Sequence, residues 1–313
     1  SIAIDLGGTN IKIALIKEGV ILTRCSLPSY SSKGLKKRLT TIEEVVTQLI
    51  KEVGLNTIDL DGVGIAFPGL VDVTKNEVIS TNQKYDDALS LDLVHWVKSC
   101  WNIPTVIDND ARMALRGEWK YGAGRGIDNL VMVTLGTGVG GAALMEGKML
   151  YGKHYQAGCL GGHFTIKLKG TTCTCGNRGC VESEASGWRL ASLVEEHADN
   201  GNTLPDKNGE MNFEQLFMLA RQNNPTARKV VNHCLDAWSA GIITMIHAYD
   251  PEMVILSGGI MNSASEIIPT IQQSVDKYAW TPWGKVNVAA ATHVNEAVLL
   301  GAHEMLKTKI ITS

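Results

Sequence analysis

Short apolar runs alternate along the chain with longer segments in which apolar residues recur every three or four positions. The first pattern is typical of strands and the second of amphipathic helices. Apolar runs over residues 2–6, 11–16 and 20–27 predict three strands, and Lys17-Glu18-Gly19 provides a turn between the last two. We therefore expect an antiparallel meander at the start of an α/β protein.

Two predicted helices carry boundary signals of their own. Thr41 and Glu44 form a capping box before apolar residues at helical spacing, which predicts a helix over 41–53. Asn224-Pro225 precedes a second such run, which predicts one long buried helix over 225–249. The remaining predictions are strands over 62–67, 104–107, 129–135, 142–145 and 253–256, and helices over 88–100 and 294–306.

The pattern of strand, glycine loop and strand occurs twice. Leu6-Gly7-Gly8-Thr9 is followed by the apolar run 11–16, and Leu135-Gly136-Thr137-Gly138 is followed by the apolar run 142–145. Because such repeats are the signature of duplicated structural units, we expect two related lobes.

A glycine-rich stretch over 121–126 separates the two copies and marks the predicted boundary. We expect an N-terminal α/β lobe over 1–122 and a C-terminal α/β lobe over 123–313, with the last helix either in the second lobe or packed back on the first. The length of 313 residues agrees with two lobes, since single cores stop growing at about 250–300 residues.

Charge and composition exclude several classes of protein. Lys and Arg number 29 against 32 Asp and Glu, and this net charge of -3 gives no bulk electrostatic reason to expect nucleic acid or a membrane surface as a partner. No apolar run approaches the roughly 20 residues of a membrane span, and no leader pattern is apparent, so a cytoplasmic location is expected. The odd total of 7 cysteines argues against a disulfide framework.

Glycine accounts for 32 of the 313 residues, more than the average share of about 7%. Part of this excess lies in loops that follow strands. Such loops, at 7–10 and 136–141 and at the pair Gly258-Gly259, let backbone N–H groups approach and hold phosphate. Thr9 and Thr137 add hydroxyl donors, and the carboxylate of Asp5 is suited to holding a metal-bound water. Neither of the first two loops has the P-loop or dinucleotide-binding pattern, and a tight hairpin is the alternative interpretation of each loop taken alone.

One imidazole and three thiols follow one another at close spacing, in the order His163, Cys173, Cys175 and Cys180. One histidine with three cysteines is a closed tetrahedral set for zinc, with every position filled by protein. We therefore predict a structural zinc site that fixes a loop rather than one that activates water. The alternative is a chance cluster of reduced thiols.

The sequence Asp108-Asn109-Asp110 follows an apolar strand and opens a helix. A carboxylate here is either the cap of the helix, which we expect of one of the two aspartates, or a base at the carboxyl end of a strand, where α/β sheets place their ligands. Such a base could take the proton of a sugar hydroxyl that attacks a γ-phosphate. Spacing alone does not choose between Asp108 and Asp110.

Taken together, these residues resemble the ROK family (repressors, open reading frames, kinases). The resemblance covers nearly the whole chain and includes 5–10, Asn109-Asp110-Ala111, 135–138 and the block from Gly162-His163 to Cys180-Val181-Glu182. It implies a two-lobed α/β fold of the actin-like ATPase (ribonuclease H-like) type with an interlobe cleft. The implied activity is the ATP-dependent phosphorylation of a hexose or amino sugar, usually at the 6-hydroxyl.

The resemblance also implies roles for individual residues. Asp110 would be the general base and Asn109 would hold a sugar hydroxyl. The other positions on the sugar side would be Gly69, Asn82, His163 and Glu182. ATP with Mg²⁺ would lie near Asp5, Gly7, Gly8, Thr9, Asn10, Gly136, Thr137, Gly138, Gly258 and Gly259. The family commonly reads Glu-x-Gly-His before the zinc block, and Leu160 stands here in place of the glutamate, which counts against glucose as the substrate.

Two alternatives to a sugar kinase follow from the same resemblance. Repressors of the family carry a helix-turn-helix segment before the first glycine loop, whereas here that loop already begins at Asp5 and the net charge is negative. A catalytically inactive sugar sensor would have lost catalytic residues, whereas Asp110 and both glycine loops are present. We therefore expect an enzyme with a sugar and ATP as partners, and a homodimer is one expected assembly, since members of the family often form dimers.

Overall fold

The computed structural model describes residues 1–81, 83–198, 204 and 211–312, and side chains through residue 310. The strands are β1 (Ile2–Leu6), β2 (Asn10–Lys17), β3 (Val20–Pro28), β4 (Val63–Phe67), β5 (Gly69–Asp72), β6 (Glu77–Thr81), β7 (Thr105–Asn109), β8 (Leu130–Leu135), β9 (Val139–Met145), β10 (Lys148–Met149), β11 (Met253–Ser257) and β12 (Asn287–Ala290). The helices are α1 (Lys36–Val53), α2 (Leu93–Trp101), α3 (Asp110–Tyr121), α4 (Val181–Ala185), α5 (Leu190–His197), α6 (Phe213–Arg221), α7 (Pro225–Tyr249), α8 (Ala264–Tyr278) and α9 (Ala297–Thr312).

The chain divides into two compact units. Unit 1 contains Ser1–Gly126, Met149–Cys159 and Asn295–Ser313, and unit 2 contains Ile127–Lys148 and Leu160–Val294. This mixture of helices and sheets confirms the α/β class that the sequence predicted. Within the described residues, no helix combines the length and the apolar composition that a membrane crossing requires.

Unit 1 is built on a five-stranded sheet with the order β3-β2-β1-β4-β7. β2 runs antiparallel to both of its neighbours, which is the predicted meander. β1, β4 and β7 run parallel to one another, so their carboxyl ends lie at one edge of the sheet. The loops that follow these three strands therefore lie at that edge.

The sheet of unit 2 has the corresponding order β10-β9-β8-β11-β12. β9 is antiparallel to β8, while β8, β11 and β12 are parallel, as β1, β4 and β7 are in unit 1. The two units thus share one topology, as the repeated pattern of strand, glycine loop and strand predicted.

The two faces of β1 pack in separate clusters, because successive side chains of a strand point to opposite sides. Ile2, Ile4 and Leu6 join the cluster that contains the buried residues of α1. Ala3, on the other face, packs with Ala302 and other residues of α9. The small side chain of Ala3 lets the helix lie close to the sheet.

Glycines bring α9 into backbone contact with its neighbours in unit 1. A Cβ on Gly301 would lie 1.7 Å from the carbonyl oxygen of Met113 in α3, and one on Gly117 would lie 2.0 Å from that of Ala297. A Cβ on Gly64 in β4 would lie 2.5 Å from the carbonyl oxygen of Ala302. No real Cβ tolerates such distances, so these three positions require glycine for close packing.

Several predicted boundaries differ from the observed ones. α2 begins at Leu93 rather than at residue 88, because Asp92 caps it by accepting from the N–H of His95. β9 begins at Val139 rather than at residue 142, and α9 covers Ala297–Thr312 rather than 294–306. α1 begins at Lys36 rather than Thr41, because the polar first turn follows Leu35, which is fully buried and anchors the start of the helix. The predicted lobes 1–122 and 123–313 also differ from the units. Residues 149–159 belong to unit 1, where the Arg112 side chain donates to two of their carbonyl oxygens. Residues 295–313, which contain α9, also belong to unit 1, and this is one of the two placements expected for the last helix.

We expect Gly301→Ala to lower the free energy of unfolding. Alanine gains about 1 kcal/mol of helix propensity over glycine, but overpacking a tight contact costs about 1–3 kcal/mol. The added Cβ would lie only 1.7 Å from the carbonyl oxygen of Met113, so we expect an overpacking cost at the upper end of that range. Thermal and denaturant unfolding measure the change. Gly259→Ala is the matched control, since a Cβ there has no described atom within 4 Å. Equal stability of the two variants would contradict the close-packing interpretation.

Candidate functional site

The junction of β7 and α3 presents three polar residues in succession. β7 ends at Asn109, whose extended backbone (φ -61°, ψ 143°) makes it the N-cap of α3. Its side-chain Oδ1 accepts hydrogen bonds from the backbone N–H groups of Ala111 at 3.0 Å and Arg112 at 3.2 Å. The N-cap position is therefore held by Asn109 and by neither aspartate. Asp110 still contributes to capping, because its Oδ1 shares the N–H of Ala111 with Asn109 Oδ1.

The side chain of Asn109 has no spare hydrogen-bonding group in this arrangement. Its Nδ2 donates to the carbonyl oxygen of Gly69 at 3.1 Å and to Asp110 Oδ1 at 3.0 Å, while Oδ1 accepts the two bonds of the cap. An asparagine offers two donors and one oxygen with two lone pairs, and all are used. The structure thus brings Gly69 and Asn109 together, and a contact of Asn109 with a sugar hydroxyl stays a prediction.

Asp108 is fully buried and enclosed by protein. Its Oδ1 accepts from the backbone N–H of Asn109 at 2.7 Å, and its Oδ2 accepts from the hydroxyl of Tyr151 at 2.8 Å. Arg112 Nη1 lies 3.5 Å from Oδ1. Burial raises the pKa of Asp108, and the charge of Arg112 opposes that rise. This carboxylate therefore acts as the buried partner of Arg112.

Arg112 ties the start of α3 to the segment 149–159. Its Nη2 donates to the carbonyl oxygens of Tyr155 at 2.8 Å and Ala157 at 2.9 Å. Its guanidinium carbon lies 4.8 Å from the centre of the Tyr151 ring, a distance at which a cation is attracted by the face of the ring. Sequence reasoning missed both Arg112 and Tyr151, since no local pattern distinguishes a buried arginine from a solvated one.

Asp110 is the half-buried carboxylate of the junction. Its Oδ1 accepts from the backbone N–H of Ala111 at 2.8 Å. Burial raises the pKa of Asp110, and the positive charge of Lys84 lowers it. Asp5, at the end of β1, is 7% exposed, and burial raises its pKa to about 7, with Lys12 opposing the rise and Asp110 adding to it. The two carboxylates are therefore close enough to interact at one edge of the sheet.

The first glycine loop connects β1 to β2 beside these carboxylates. The carbonyl oxygen of Gly8 accepts from the hydroxyl of Ser31 at 2.8 Å and also from Ser29, and that of Gly7 accepts from the hydroxyl of Tyr85 at 3.0 Å. Among the described residues, none accepts a hydrogen bond from the N–H groups of Gly7, Gly8 or Thr9. Fixed carbonyls with free N–H groups are suited to binding an anion.

The second glycine loop connects β8 to β9 in unit 2. The N–H groups of Gly187 and Trp188 hold it by donating to the carbonyl oxygens of Gly136 at 2.9 Å and Thr137 at 3.2 Å. Gly258, with φ +102°, packs on the end of β8, where a Cβ would lie 2.1 Å from the carbonyl oxygen of Leu135. The structure therefore brings Gly258 close to the end of the strand that leads into the loop at 136–138.

Glu182 lies between the second glycine loop and the cysteine block. Its Oε2 accepts from the N–H of Val139 at 2.9 Å, and its Oε1 accepts from the hydroxyl of Thr174 at 3.3 Å. A Cβ on Gly138 would lie 2.6 Å from Oε2. The side chain is buried and engaged with protein on both oxygens, and its predicted contact with a sugar stays a prediction. Asn82, another predicted sugar contact, lies outside the described residues.

The four predicted metal ligands converge. One ligand atom from each of His163, Cys173, Cys175 and Cys180 lies within 4.8 Å of all the others. His163 Nδ1 is 3.6 Å from Cys173 Sγ, and the Sγ atoms of Cys175 and Cys180 are 3.8 Å apart. Tetrahedral zinc bonds of about 2.3 Å to sulfur and about 2.0–2.1 Å to nitrogen require separations of about 3.8 and about 3.6 Å. The donor set therefore fits zinc in its chemistry, and these two of the six separations between ligand atoms also match zinc in size.

Backbone geometry holds this loop in a tight turn. Gly176 and Gly179 have φ values of +88° and +66°, and a Cβ on Gly179 would lie 1.7 Å from the carbonyl oxygen of Lys167. The N–H of Cys173 donates to the carbonyl oxygen of Asn177 at 2.8 Å. Burial and the neighbouring Cys173 raise the pKa of Cys180 to about 12. A cation is what would stabilise the thiolate form of such a cluster.

The chain is similar in sequence to known sugar kinases and to a repressor. The chain is 30% identical to glucokinase of Halalkalibacterium halodurans over 89% of this chain and 86% of that protein. It is 29% identical to N-acetylmannosamine kinase of Vibrio cholerae over 83% and 84%. It is also 25% identical to the xylose repressor of Bacillus subtilis, over 77% of this chain and 59% of the repressor.

The fold of this chain matches solved structures of the same kind. A ROK family glucokinase from Streptomyces griseus, in complex with glucose and AMPPNP, superposes with a TM-score of 0.82 at 26% identity, over 98% of this chain and 99% of that one. The chain therefore has the fold of the actin-like ATPases, as expected. A model of the ROK family matches residues 1–309, and we conclude that this chain belongs to the ROK family.

Proposed function

We propose that the protein is a sugar kinase that transfers the γ-phosphoryl group of ATP to a hydroxyl of a hexose or an amino sugar. The observation that carries the proposal is the half-buried Asp110 carboxylate, which lies at the same edge of the sheet as Asp5 and the first glycine loop. Relatives named for glucokinase and N-acetylmannosamine kinase activity support the reaction type. The 6-hydroxyl is the acceptor that the family resemblance favours.

In the proposed reaction Asp110 removes the proton from the sugar hydroxyl, and the sugar oxygen attacks the γ-phosphorus. A raised pKa favours this role, because a base works best when its pKa lies near the working pH. Asp108 is poorly suited, since Tyr151, Arg112 and a backbone N–H already occupy its oxygens. Asn109 acts by fixing Asp110, to which its side chain donates.

The nucleotide would be held by backbone groups of the glycine loops. In unit 1, the free N–H groups of Gly7, Gly8 and Thr9 point to phosphate binding, with Asn10 next to them. In unit 2, we assign the nucleotide to Gly136, Thr137, Gly138, Gly258 and Gly259. Asp5 would hold water bound to Mg²⁺, which neutralises phosphate charge in such reactions.

We propose a structural zinc at His163, Cys173, Cys175 and Cys180. The four ligand positions are all supplied by protein, so the site is closed to substrate and water. Its effect would be to fix the cysteine loop, and through Thr174 to support Glu182, whose other oxygen accepts from Val139 beside the second glycine loop. His163 would then be a zinc ligand in addition to lying on the sugar side.

The identity of the sugar is the most specific part of the proposal, and Leu160 is the residue that bears on it. Leu160 stands in place of a glutamate that would accept hydrogen bonds from sugar hydroxyls. Losing such a hydrogen bond costs about 1–3 kcal/mol of binding free energy. A coupled assay of ADP release over glucose, mannose, fructose, allose, glucosamine, N-acetylglucosamine and N-acetylmannosamine tests the function. We expect one of these sugars to give saturable turnover that exceeds the turnover with glucose. No ADP release with any sugar, together with sugar binding by calorimetry, would favour the inactive sensor instead.

We expect Asp110→Asn to lower kcat by about 10²–10⁴-fold, the usual contribution of a general base, while the fold and the zinc content stay unchanged. Asp108→Asn is the matched comparison, because it leaves Arg112 buried without its charge partner. Breaking a buried pair in this way costs about 3–5 kcal/mol, so Asp108→Asn should lower the melting temperature. Steady-state kinetics and calorimetry separate the two effects. Wild-type turnover by the Asp110 variant would refute its assignment as base.

For the metal, we expect elemental analysis to find about one zinc per chain. Cys175→Ser should remove most of that zinc and lower the melting temperature, because the cysteine loop loses its fixed point. Cys100→Ser is the matched control, since Cys100 is exposed on α2 and lies outside the ligand set. A Cys175 variant that retains a full equivalent of zinc would show that the ligand set is wrong.

A further inference from the structure

Lys84 lies directly over the first glycine loop. A Cβ on Gly8 would lie 2.8 Å from Lys84 Cε and 3.1 Å from its Nζ, so the end of the side chain covers the α-carbon of that glycine. The neighbouring Tyr85 fixes this arrangement, because its fully buried side chain donates to the carbonyl oxygen of Gly7 at 3.0 Å. The lysine is thus placed by the same contacts that shape the loop.

The ammonium of Lys84 has no ion-pair partner within 4 Å in the part of the chain that the structure describes. It is nevertheless half-buried and close enough to Asp110 to act on its charge. A lysine that is neither paired nor fully solvated is available to an anionic ligand. The free N–H groups of Gly7, Gly8 and Thr9 lie in the loop that it covers.

We propose that Lys84 contacts the phosphoryl group that is transferred from ATP to the sugar, from the side of the first glycine loop. The inference rests on the proposed function and assigns a further catalytic residue to it. The sugar oxygen that attacks the γ-phosphate lies next to Asp110, because Asp110 takes its proton. The ammonium of Lys84 acts on Asp110 and therefore lies on the side of the γ-phosphate. Lys84 would therefore contact the γ-phosphate rather than the α- or β-phosphate.

The step balances as an ordinary phosphoryl transfer. A bond forms between the sugar oxygen and the γ-phosphorus, the bond from that phosphorus to the β,γ-bridging oxygen breaks, and ADP leaves with the electron pair. The hydroxyl proton passes to Asp110. The ammonium of Lys84 gives and takes no proton. It stabilises negative charge on the oxygens of the transferred group, where a charge-assisted hydrogen bond has its largest effect.

The charge of Lys84 also affects how the proposed activity depends on pH, because it acts on Asp110. The charged and titratable groups that act with Asp110 are Lys84, Asp5 and the thiol of Cys159, with Lys12 acting on Asp5. Lys84 lowers the pKa of Asp110, so its removal raises that pKa. Because the base must be ionised to accept a proton, the acidic limb of the profile of kcat/KM against pH would move to higher pH.

The test compares wild type with Lys84→Met, Lys84→Arg and the control Lys75→Met, which removes an exposed lysine of the turn between β5 and β6. Calorimetry measures the binding of ADP and of AMPPNP, and kinetics with the accepted sugar measures kcat/KM for ATP from pH 5 to 9. We expect Lys84→Met to lose about 10- to 100-fold in AMPPNP affinity and in kcat/KM with ADP affinity unchanged. Lys84→Arg should recover part of the loss, and Lys75→Met should behave as wild type.

Each other outcome overturns the assignment. Equal loss of ADP and AMPPNP affinity would place Lys84 away from the γ-phosphate or give it a structural role only. AMPPNP affinity within twofold of wild type, with an unmoved acidic limb, would remove it from the phosphate site altogether. Failure of the proposed function would look different, because the wild-type protein itself would then show no turnover with any sugar. The comparison of AMPPNP with ADP binding would still test Lys84 in that case.

Discussion

The parallel pairing of β1, β4 and β7 is the constraint on which the candidate chemistry depends. Parallel strands end at the same edge, so the residues that follow them are brought together although they are far apart in sequence. Asp5 follows this rule from β1, and Asp110 follows it from β7. Unit 2 repeats the arrangement, because the parallel strands β8 and β11 bring Gly258 close to the end of the strand that precedes the second glycine loop.

A second constraint separates the two aspartates of the β7–α3 junction. Burying Asp108 and Arg112 costs desolvation energy for both charges, which their attraction offsets only with further hydrogen bonds. Tyr151 and the backbone N–H of Asn109 supply these bonds to Asp108, while the carbonyl oxygens of Tyr155 and Ala157 accept from Arg112. Asp108 is thus enclosed by its partners within unit 1, whereas Asp110 remains half-buried.

The sequence predicted those features that local pattern determines. The meander at 2–27 and the helix 225–249 follow from apolar runs, turn residues and caps, and the structure has them. The four predicted metal ligands lie within a short stretch, and their side chains converge as their spacing indicated. Arg112, Tyr151 and Lys84 could not be found in this way. Their significance comes from contacts with residues distant in sequence, which a local pattern does not encode.

The position of α9 in unit 1 has a consequence for the order of folding. Its residues cover the face of the first sheet that carries Ala3 and Ala66, yet they follow all of unit 2 in the sequence and are synthesised after it. Until then that apolar face lacks its covering helix, and exposed surfaces of this kind are where folding intermediates aggregate. Unit 2, whose chain ends at Val294, is fully synthesised before α9 is. Synthesis of unit 1 therefore starts before that of unit 2 and is completed after it.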